Sequence, residues 1–347
     1  MAESKKEFKK VGIARRQPVN LSREELVKVE PLYSGQLLPL LIQPTVKGVD
    51  LTAWASDHRE FLENKLVLHG GLLFRGFDLA STEFKQFVST LYGELLEDHS
   101  RLGLRSDTER VYTSTEHPAD YTLYMHNETW WQYNWPMKIF FLCETAPQQG
   151  GETIISDCRR VLKRISPATK ERFIHKKALH LRNFGNRFGR PWQQIFETDD
   201  QTAVEAFCQA NAIECEWLDG NRLRTRHVRP VIAQHPHTGE EVWFNHVAHY
   251  HISTNLTRDM AGVLSEIGEN NVPVNTFFGD GTPIEDAVMD EIRDAYNQET
   301  IAFPWEKGDL MMLDNMLVAH GRAPYTGPRK ILVSMAQLTG WQQIGQL

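Results

Sequence analysis

The chain has 347 residues, of which 24% are charged and 41% are hydrophobic, and this composition is ordinary for a globular protein. Its formal net charge of −7 gives no reason to expect nucleic-acid binding. None of the four cysteines forms a CxxC pair, which argues against a disulfide framework and against a cysteine-ligated zinc or iron–sulfur site. A reducing compartment fits this cysteine usage best.

The N-terminal segment is basic, but it is not followed by the apolar stretch of a secretory signal. We therefore predict a partly disordered basic arm over residues 1–30. No run of the sequence approaches the roughly 18–20 apolar residues that a membrane-spanning helix needs, and we find no internal repeat. We expect a cytoplasmic protein in which residues 31–347 form a single domain, with a helical and loop insertion over residues 156–235.

The first part of the chain alternates between predicted helices and strands. Residues 51–66 place their apolar side chains on one helical face. The sequence LLFRGF (72–77) follows a Gly-Gly turn and predicts a buried strand. Ser81 is the expected N-cap of the next helix, and further strands are predicted at residues 139–142 and 153–155.

The middle of the chain is predicted to be mostly helical or irregular. Residues 160–230 are expected to contain helices and loops, with a glycine- and arginine-rich loop at 182–193. A short strand is predicted at 242–245. A helix is then predicted over residues 283–296, because the sequence TPIE offers Thr282 as N-cap, a proline at N1 and a glutamate at N3.

The C-terminal part returns to strands, which are predicted at residues 309–315 and 330–338. Strands therefore lie near both ends of the chain, and the helices between them can pack outside. This order predicts a β-rich α+β fold with a β-sandwich core and flanking helices.

The sequence YMHNETWW contains a candidate pair of metal ligands, His126 and Glu128. On a strand, residues two apart point to the same face, so one imidazole and one carboxylate could converge on one metal. Such a pair recurs often by chance, and His126 taken alone fits a structural histidine as well.

His320, in the sequence MLDNMLVAHGRAPYTGPRK, strengthens this interpretation. If its strand faces the strand of His126, two histidines and one carboxylate occupy one face of an octahedral metal. That set is the facial triad of non-haem Fe(II) oxygenases, which leaves two positions for an oxo-acid co-substrate and one for O2. Zinc fits less well, since catalytic zinc usually offers one open position.

Arg329 and Thr153 are candidates for binding a dicarboxylate co-substrate. A guanidinium binds the distal carboxylate in bidentate fashion, and the hydroxyl of Thr153 in GGET could donate to the same group. Arg329 alone fits an arginine at a strand edge equally well, and Thr153 alone fits a structural strand residue.

These residues belong to an ordered set of motifs that resembles one family. Over residues 72–338 the chain resembles the taurine dioxygenase/TfdA family of Fe(II)/2-oxoglutarate-dependent dioxygenases, and within it the SyrP-like branch. The resemblance is carried by LFRGF, MHNE, WPMKIFFLCETAPQQGGET, RTRHVRP, HPHTGEEVWFN, FFGDGTPI, FPWEKGDLMMLDNMLVAHGR and GPRKILVSM.

The resemblance implies a double-stranded β-helix (jelly roll) core and a complete set of roles. His126, Glu128 and His320 are implied as Fe(II) ligands, and Thr153 and Arg329 as contacts of 2-oxoglutarate. The implied reaction hydroxylates an unactivated C–H bond and releases succinate and CO2. Many relatives carry Asp where this chain has Glu128. Halogenases of the broader chemistry lack this carboxylate, so Glu128 argues against halogenation.

The resemblance also implies a small amino-acid-like substrate of a secondary-metabolite or antibiotic pathway, either free or presented on a carrier protein. We expect no nucleic-acid or membrane partner, and the sequence does not indicate an oligomeric state. A second histidine cluster, His246, His249 and His251, is a rival metal site but has no suitable carboxylate. The polar candidates for contacting substrate are Tyr124, Arg187, Arg224, Arg226, Asn245 and His246.

Two other functions stay open at the level of sequence. The same site could carry out desaturation or oxidative cyclisation, which product mass would distinguish from hydroxylation. The chain could also be a non-catalytic binding protein on a jelly-roll scaffold. The intact set of candidate ligands, including Glu128, argues against that class, whereas the fold alone does not.

Overall fold

The computed structural model describes residues 26–96, 110–114, 117–185, 190–255, 264 and 268–344. The strands are β1 (Val27–Pro31), β2 (Leu40–Pro44), β3 (Gly71–Phe74), β4 (Tyr112–Thr113), β5 (Leu123–His126), β6 (Asn134–Thr145), β7 (Gln149–Gly150), β8 (Thr153–Asp157), β9 (Ala178–Phe184), β10 (Glu214–Leu218), β11 (Arg222–Arg229), β12 (Ile232–Gln234), β13 (Glu241–Trp243), β14 (Val274–Phe278), β15 (Leu310–Asp314), β16 (Val318–Arg322), β17 (Tyr325–Thr326) and β18 (Lys330–Gly340). The helices are α1 (Leu51–Asp57), α2 (Arg59–His69), α3 (Ser81–Tyr92), α4 (Cys158–Arg164), α5 (Pro167–Lys176), α6 (Trp192–Phe196), α7 (Gln201–Ala210), α8 (Val247–Tyr250), α9 (Ile252–Asn255) and α10 (Asp286–Glu299).

Two sheets form the jelly-roll core that the sequence predicts. The larger sheet has the strand order β1-β2-β3-β15-β6-β18-β4, and the smaller has the order β5-β16-β8. Their inner faces pack together, since Phe141 of β6 meets the ring of His320 of β16 edge-on with centroids 5.2 Å apart. The predicted fold class, a β-rich α+β protein with a jelly-roll core and flanking helices, is therefore confirmed.

The outer face of the larger sheet is covered by the N-terminal helices α1 to α3. Phe87 of α3, for example, packs edge-on against Phe140 of β6 with centroids 6.3 Å apart, and both side chains are fully buried. The apolar stripe that predicted these helices is the surface that covers the sheet. Among the described residues, no helix is both long and apolar enough to cross a membrane.

A second antiparallel sheet, with the order β10-β11-β9-β14, lies where the sequence predicted helices and loops. The prediction for residues 160–230 was wrong for β9, β10 and β11, and residues 182–184 of the predicted loop belong to β9. The reason is that buried positions of this sheet are polar, including His180, Asn183 and Thr225. The alternation of apolar and polar residues that predicts a strand is therefore hidden.

Several helix and strand boundaries differ from the predicted ones. The first predicted helix is divided at His58 into α1 and α2, and α3 begins at Ser81 with Ala80, not Ser81, at its N-cap. Helix α10 begins at Asp286, later than predicted. The Thr282 hydroxyl donates to Asp280 at 2.5 Å instead of capping the helix, so it closes the preceding turn.

The predicted N-terminal arm overlaps the first strand. Residues 1–25 lie outside the described part of the chain, whereas residues 27–30 belong to β1, which pairs with β2. The division into an arm and one domain stays a prediction.

Candidate functional site

The three predicted metal ligands meet between β5, β16 and the turn that follows β5. His320 of β16 lies directly opposite His126 of β5 in the register of the smaller sheet. One ligand atom from each of His126, Glu128 and His320 lies within 4.8 Å of the others, and all three residues are buried. The Nε2 atom of His320 is 3.6 Å from Oε2 of Glu128. These side chains therefore present two imidazoles and one carboxylate to a common point.

Glu128 reaches this point from a turn and not, as the sequence argument assumed, from a strand. Strand β5 ends at His126, and residues 128–130 form a turn in which Thr129 has a φ of 54°. The turn nevertheless brings the Glu128 carboxylate close to His126 and His320. The prediction that these residues come together is therefore confirmed, but the strand periodicity from which it was argued does not apply to Glu128.

The turn is held by a buried asparagine from the far end of the chain. Asn315 accepts the backbone N–H of Glu128 through Oδ1 at 2.7 Å and donates from Nδ2 to the Glu128 carbonyl at 2.9 Å. The neighbouring Asn127 donates to the Asn315 carbonyl at 2.7 Å. Such contacts behind a ligand fix its orientation, so Asn315 and Asn127 are positioning residues that the sequence analysis did not identify.

The chemistry of the donor set fits a divalent iron ion. The Nδ1 atom of His126 lies 2.9 Å from the Tyr124 carbonyl, which can only accept, so Nδ1 carries the proton and Nε2 keeps its lone pair. Burial and then the neighbouring imidazoles lower the pKa of His126 well below its ordinary value. The ring is therefore neutral at neutral pH, the form that binds metals.

Thr153 lies beside this centre, on the strand next to β16. Strand β8 pairs with β16 so that Thr153 stands opposite Arg322. The buried Thr153 hydroxyl accepts a hydrogen bond from Trp305 Nε1 at 3.2 Å. Because the oxygen already accepts from Trp305, its own O–H remains available to a further acceptor.

Arg329 lies against the same turn as Thr153. Its Nε donates to the Gly151 carbonyl at 2.9 Å, and Nη1 donates to the Ser114 hydroxyl at 3.3 Å. Burial is the main cause that lowers the pKa of Arg329 to about 10, so the guanidinium is charged at neutral pH. A Cβ at Gly151, where φ is +70°, would lie 3.1 Å from Arg329 Cδ. Glycine is therefore required for this approach.

Arg322 holds the segment 117–121 beside the site through hydrogen bonds to its backbone. Its Nη1 and Nη2 atoms donate to the carbonyls of His117, Pro118 and Tyr121 at 3.1, 2.6 and 2.7 Å. Its guanidinium also lies over the Tyr325 ring, 5.1 Å from the centroid, and Arg329 lies over the same ring at 5.6 Å. Burial lowers the pKa of Arg322, with Tyr325 acting in the opposite direction.

Three of the predicted substrate contacts lie near the metal-binding set. The carbonyl of Tyr124 accepts a hydrogen bond from Nδ1 of His126, and the ring centroids of His246 and His126 are 5.4 Å apart. The backbone N–H of Asn245 donates to Asn127 Oδ1 at 3.0 Å, and its own Oδ1 accepts from the N–H of Val247, the first residue of α8, at 2.9 Å, so its side chain is structural.

The predicted arginines are not brought to this centre. Arg224 donates to Asn183 Oδ1 at 2.7 Å, and Arg226 pairs with Glu216 at 3.1 Å, both on the face of the second sheet that is turned away from Thr225 and His227. Alternation along β11 explains this, because residues 224 and 226 share one face and 225 and 227 share the other. Arg187 lies outside the described residues.

The rival histidine cluster does not form a metal-binding group. In the described part of the chain, the triad of His126, Glu128 and His320 is the one set whose ligand atoms approach closely enough. His251 Nδ1 instead lies 2.8 Å from the hydroxyl of Ser253, and the rings of His246 and His249 are 5.7 Å apart.

Comparisons with known proteins agree with this geometry. Residues 34–335 match the model of the taurine catabolism dioxygenase TauD, TfdA family. The dapdiamide synthesis protein DdaC of Enterobacter agglomerans is 38% identical over 310 residues, which are 88% of this chain and 93% of that protein. A clavaminate synthase-like protein of Arabidopsis thaliana is 27% identical over 326 residues, which are 88% of this chain and 95% of that protein.

Solved structures show the same fold at lower identity. PvcB of Pseudomonas aeruginosa superposes with a TM-score of 0.55 at 15% identity, covering 92% of this chain and 94% of its own. A taurine dioxygenase of Burkholderia xenovorans superposes with a TM-score of 0.51 at 15% identity, covering 92% of each chain. The family match spans most of the chain, so this protein belongs to the TauD/TfdA family and is an iron- and 2-oxoglutarate-dependent dioxygenase.

Proposed function

We propose that His126, Glu128 and His320 hold the Fe(II) ion of this dioxygenase. The observation that carries the proposal is the approach of their three ligand atoms to within 4.8 Å in a buried site. Two imidazoles and one carboxylate on one face of an octahedral ion leave three positions open, as non-haem Fe(II) oxygenases require. Glu128 fills the position that would otherwise be open to a halide.

Thr153 and Arg329 bind the distal carboxylate of 2-oxoglutarate. Arg329 Nε donates to the carbonyl of Gly151, two residues before Thr153, whose O–H is free to donate, so both groups belong to one short segment around this turn. Charge-assisted hydrogen bonds of this kind are the strong ones. Both groups are largely buried, so water competes little for the carboxylate.

The reaction is hydroxylation of an unactivated C–H bond in an amino-acid-derived substrate of a biosynthetic pathway. When bound, iron and 2-oxoglutarate supply the chemistry that activates O2, so that one oxygen atom enters the substrate and the other enters succinate as CO2 is released. The residues of this chain bind the co-substrate, exclude water and place the substrate C–H bond. Support for a biosynthetic role comes from the relative named for dapdiamide synthesis.

An anaerobic titration tests this function directly. Addition of Fe(II) and 2-oxoglutarate to the purified protein should produce a metal-to-ligand absorption band, and His126→Ala should abolish it. His175→Ala is a matched control, because His175 is exposed on α5. If the wild-type protein gives no band and forms no succinate in air, the proposed function is wrong.

Product mass tests the type of oxidation separately. Hydroxylation adds one oxygen atom to the substrate, whereas desaturation or ring closure removes two hydrogen atoms. We expect the gain of one oxygen. A product that has lost two hydrogens would leave the iron site intact and overturn the hydroxylation.

A further inference from the structure

The second sheet presents a polar face toward the interior. In the register of β9, β11 and β14, His180 stands between His227 and Thr276, while Arg182 stands beside Thr225. All five side chains share one face, because their positions alternate with those of the opposite face. Four of them are buried and Arg182 is partly buried. A sheet face that packs on a core is normally apolar, so this face requires another explanation.

The polar atoms of this face lack partners within the described part of the protein. Both ring nitrogens of His180 and of His227, together with Oγ1 of Thr276, are buried and form no hydrogen bond. Leaving a buried polar group unsatisfied destabilises the folded protein, and native proteins contain few such groups. Their concentration on one face indicates a surface built to meet a polar ligand.

Arg182 adds an unneutralised positive charge to this face. Among the described residues, no carboxylate oxygen lies within 4.0 Å of the guanidinium nitrogens of Arg182, the limit for an ion pair. No described acceptor takes a hydrogen bond from this guanidinium either. The guanidinium lies instead over the rings of Trp131 and Phe184, at 5.9 and 5.0 Å from their centroids. Burial lowers the pKa of Arg182, while Tyr250 acts in the opposite direction. A partly buried arginine without an anion is a strong indication that the anion comes from outside.

A continuous series of rings connects this face to the iron site. The centroid of His126 is 5.4 Å from that of His246, and His246 is 5.1 Å from Tyr250. Tyr250 is in turn 4.6 Å from His180, which is 4.9 Å from His227. The polar face is therefore adjacent to the place where substrate must be oxidised.

We propose that this face is the substrate-binding surface and that Arg182 binds a carboxylate group of the substrate. The imidazoles of His180 and His227 and the hydroxyl of Thr276 hydrogen-bond the remaining polar atoms. The inference rests on the proposed function, since it names the class of substrate that the iron site oxidises. Ordered water could satisfy the imidazoles and the hydroxyl, but it would leave the charge of Arg182 without a counter-ion.

Paired ligands test the carboxylate requirement. The probes are N-acetyl-L-amino acids, each compared with its own C-terminal carboxamide, which keeps the shape and removes the charge. Binding is measured by calorimetry on the anaerobic protein with Fe(II) and 2-oxoglutarate, and turnover is measured as succinate formed in air. The best acid should bind the wild-type protein roughly tenfold or more tightly than its amide.

Variants assign that preference to Arg182. Arg182→Gln should bind acid and amide equally, and Arg182→Lys should keep part of the preference because it retains the charge without the planar fork. Arg222→Gln is the matched control, since Arg222 lies on the opposite face of the same sheet and bonds the Asp219 carbonyl. It should leave the preference unchanged.

The outcomes separate this inference from the proposed function. Arg182→Gln should retain the absorption band of Fe(II) and 2-oxoglutarate, because Arg182 contacts neither. If the wild-type protein shows no preference for acids, or if Arg182→Gln keeps the full preference, the carboxylate site is wrong even though the band forms. Loss of the band in the wild-type protein would overturn the iron site instead.

Discussion

Asn315 clamps the backbone of Glu128 from both sides, accepting its N–H at 2.7 Å and donating to its carbonyl at 2.9 Å, although 187 residues separate the two. The backbone around Asn315 is itself held by the preceding residue, Asp314. Asp314 accepts the backbone N–H groups of Met316 and Leu317 and pairs with the buried Lys138 at 3.0 Å. Burial alone would raise the pKa of Asp314, but Lys138 and His235 hold it well below its usual range. The position of Glu128, one of the proposed iron ligands, therefore depends on a buried network outside the metal site.

The first prediction concerns this clamp. Asn315→Ala removes both hydrogen bonds and should weaken Fe(II) or Co(II) binding by about 10–100-fold, the usual effect of losing a contact behind a ligand. Metal affinity is measured by titration under nitrogen. Asn211→Ala is the control, because the side chain of Asn211 donates to the Phe207 carbonyl at the end of α7. Unchanged metal affinity in Asn315→Ala would show that the turn holds Glu128 without help.

The second prediction concerns Arg329 and its neighbour in sequence. Arg329→Gln removes the buried charge and should raise the KM for 2-oxoglutarate by roughly tenfold or more. Lys330→Gln should change this KM little, because the Lys330 ammonium forms a partly exposed ion pair with Glu144 at 2.8 Å. Initial rates of succinate formation at varied 2-oxoglutarate measure both. Equal effects of the two substitutions would contradict a specific role for Arg329.

The third prediction concerns the hydroxyl of Thr153. Thr153→Val keeps the shape but removes the O–H that is free to donate, so the KM for 2-oxoglutarate should rise by about tenfold. Thr153→Ser keeps the hydroxyl and should restore most of the affinity. Trp305→Phe should have a smaller effect, because it removes only the bond that orients the Thr153 oxygen. A serine variant as poor as the valine variant would show that packing, and not the hydroxyl, is required.

The sequence predicted which residues meet at the candidate site better than it predicted the elements that carry them. His126, Glu128 and His320 were recognisable because their residue types are rare in combination, yet Glu128 lies in a turn that strand periodicity does not describe. Asn315 and Arg182 could not be identified from the sequence, because the roles proposed for them depend on contacts between distant segments. The second sheet was missed for a related reason. Its interior is lined with polar side chains, so the pattern that predicts strands is absent.

The fourth prediction concerns the stability of the metal-free protein in acid. Burial is the main cause that lowers the pKa of His246 to about 4 and of His249 to about 3, and it lowers the pKa of His180 and His227 well below the ordinary value. The unfolded chain protonates these rings near pH 6.5, whereas the folded protein protonates them only at lower pH, near 4 for His246 and near 3 for His249. The unfolded state then binds more protons, so the free energy of unfolding falls as the pH drops through this window.

Each such histidine contributes a slope of about 1.4 kcal/mol per pH unit below its unfolded pKa. The melting temperature in EDTA should therefore fall steeply between pH 7 and 5, where most ordinary carboxylates are still ionised. His227→Gln should reduce this slope, since it removes one of the titrating groups. Thr276 lies on the same buried face but has no titrating group in this pH range. Thr276→Val should therefore shift the melting temperature without changing its slope with pH. If both substitutions change the slope of melting temperature against pH equally, packing governs the acid sensitivity and protonation of the buried imidazoles does not.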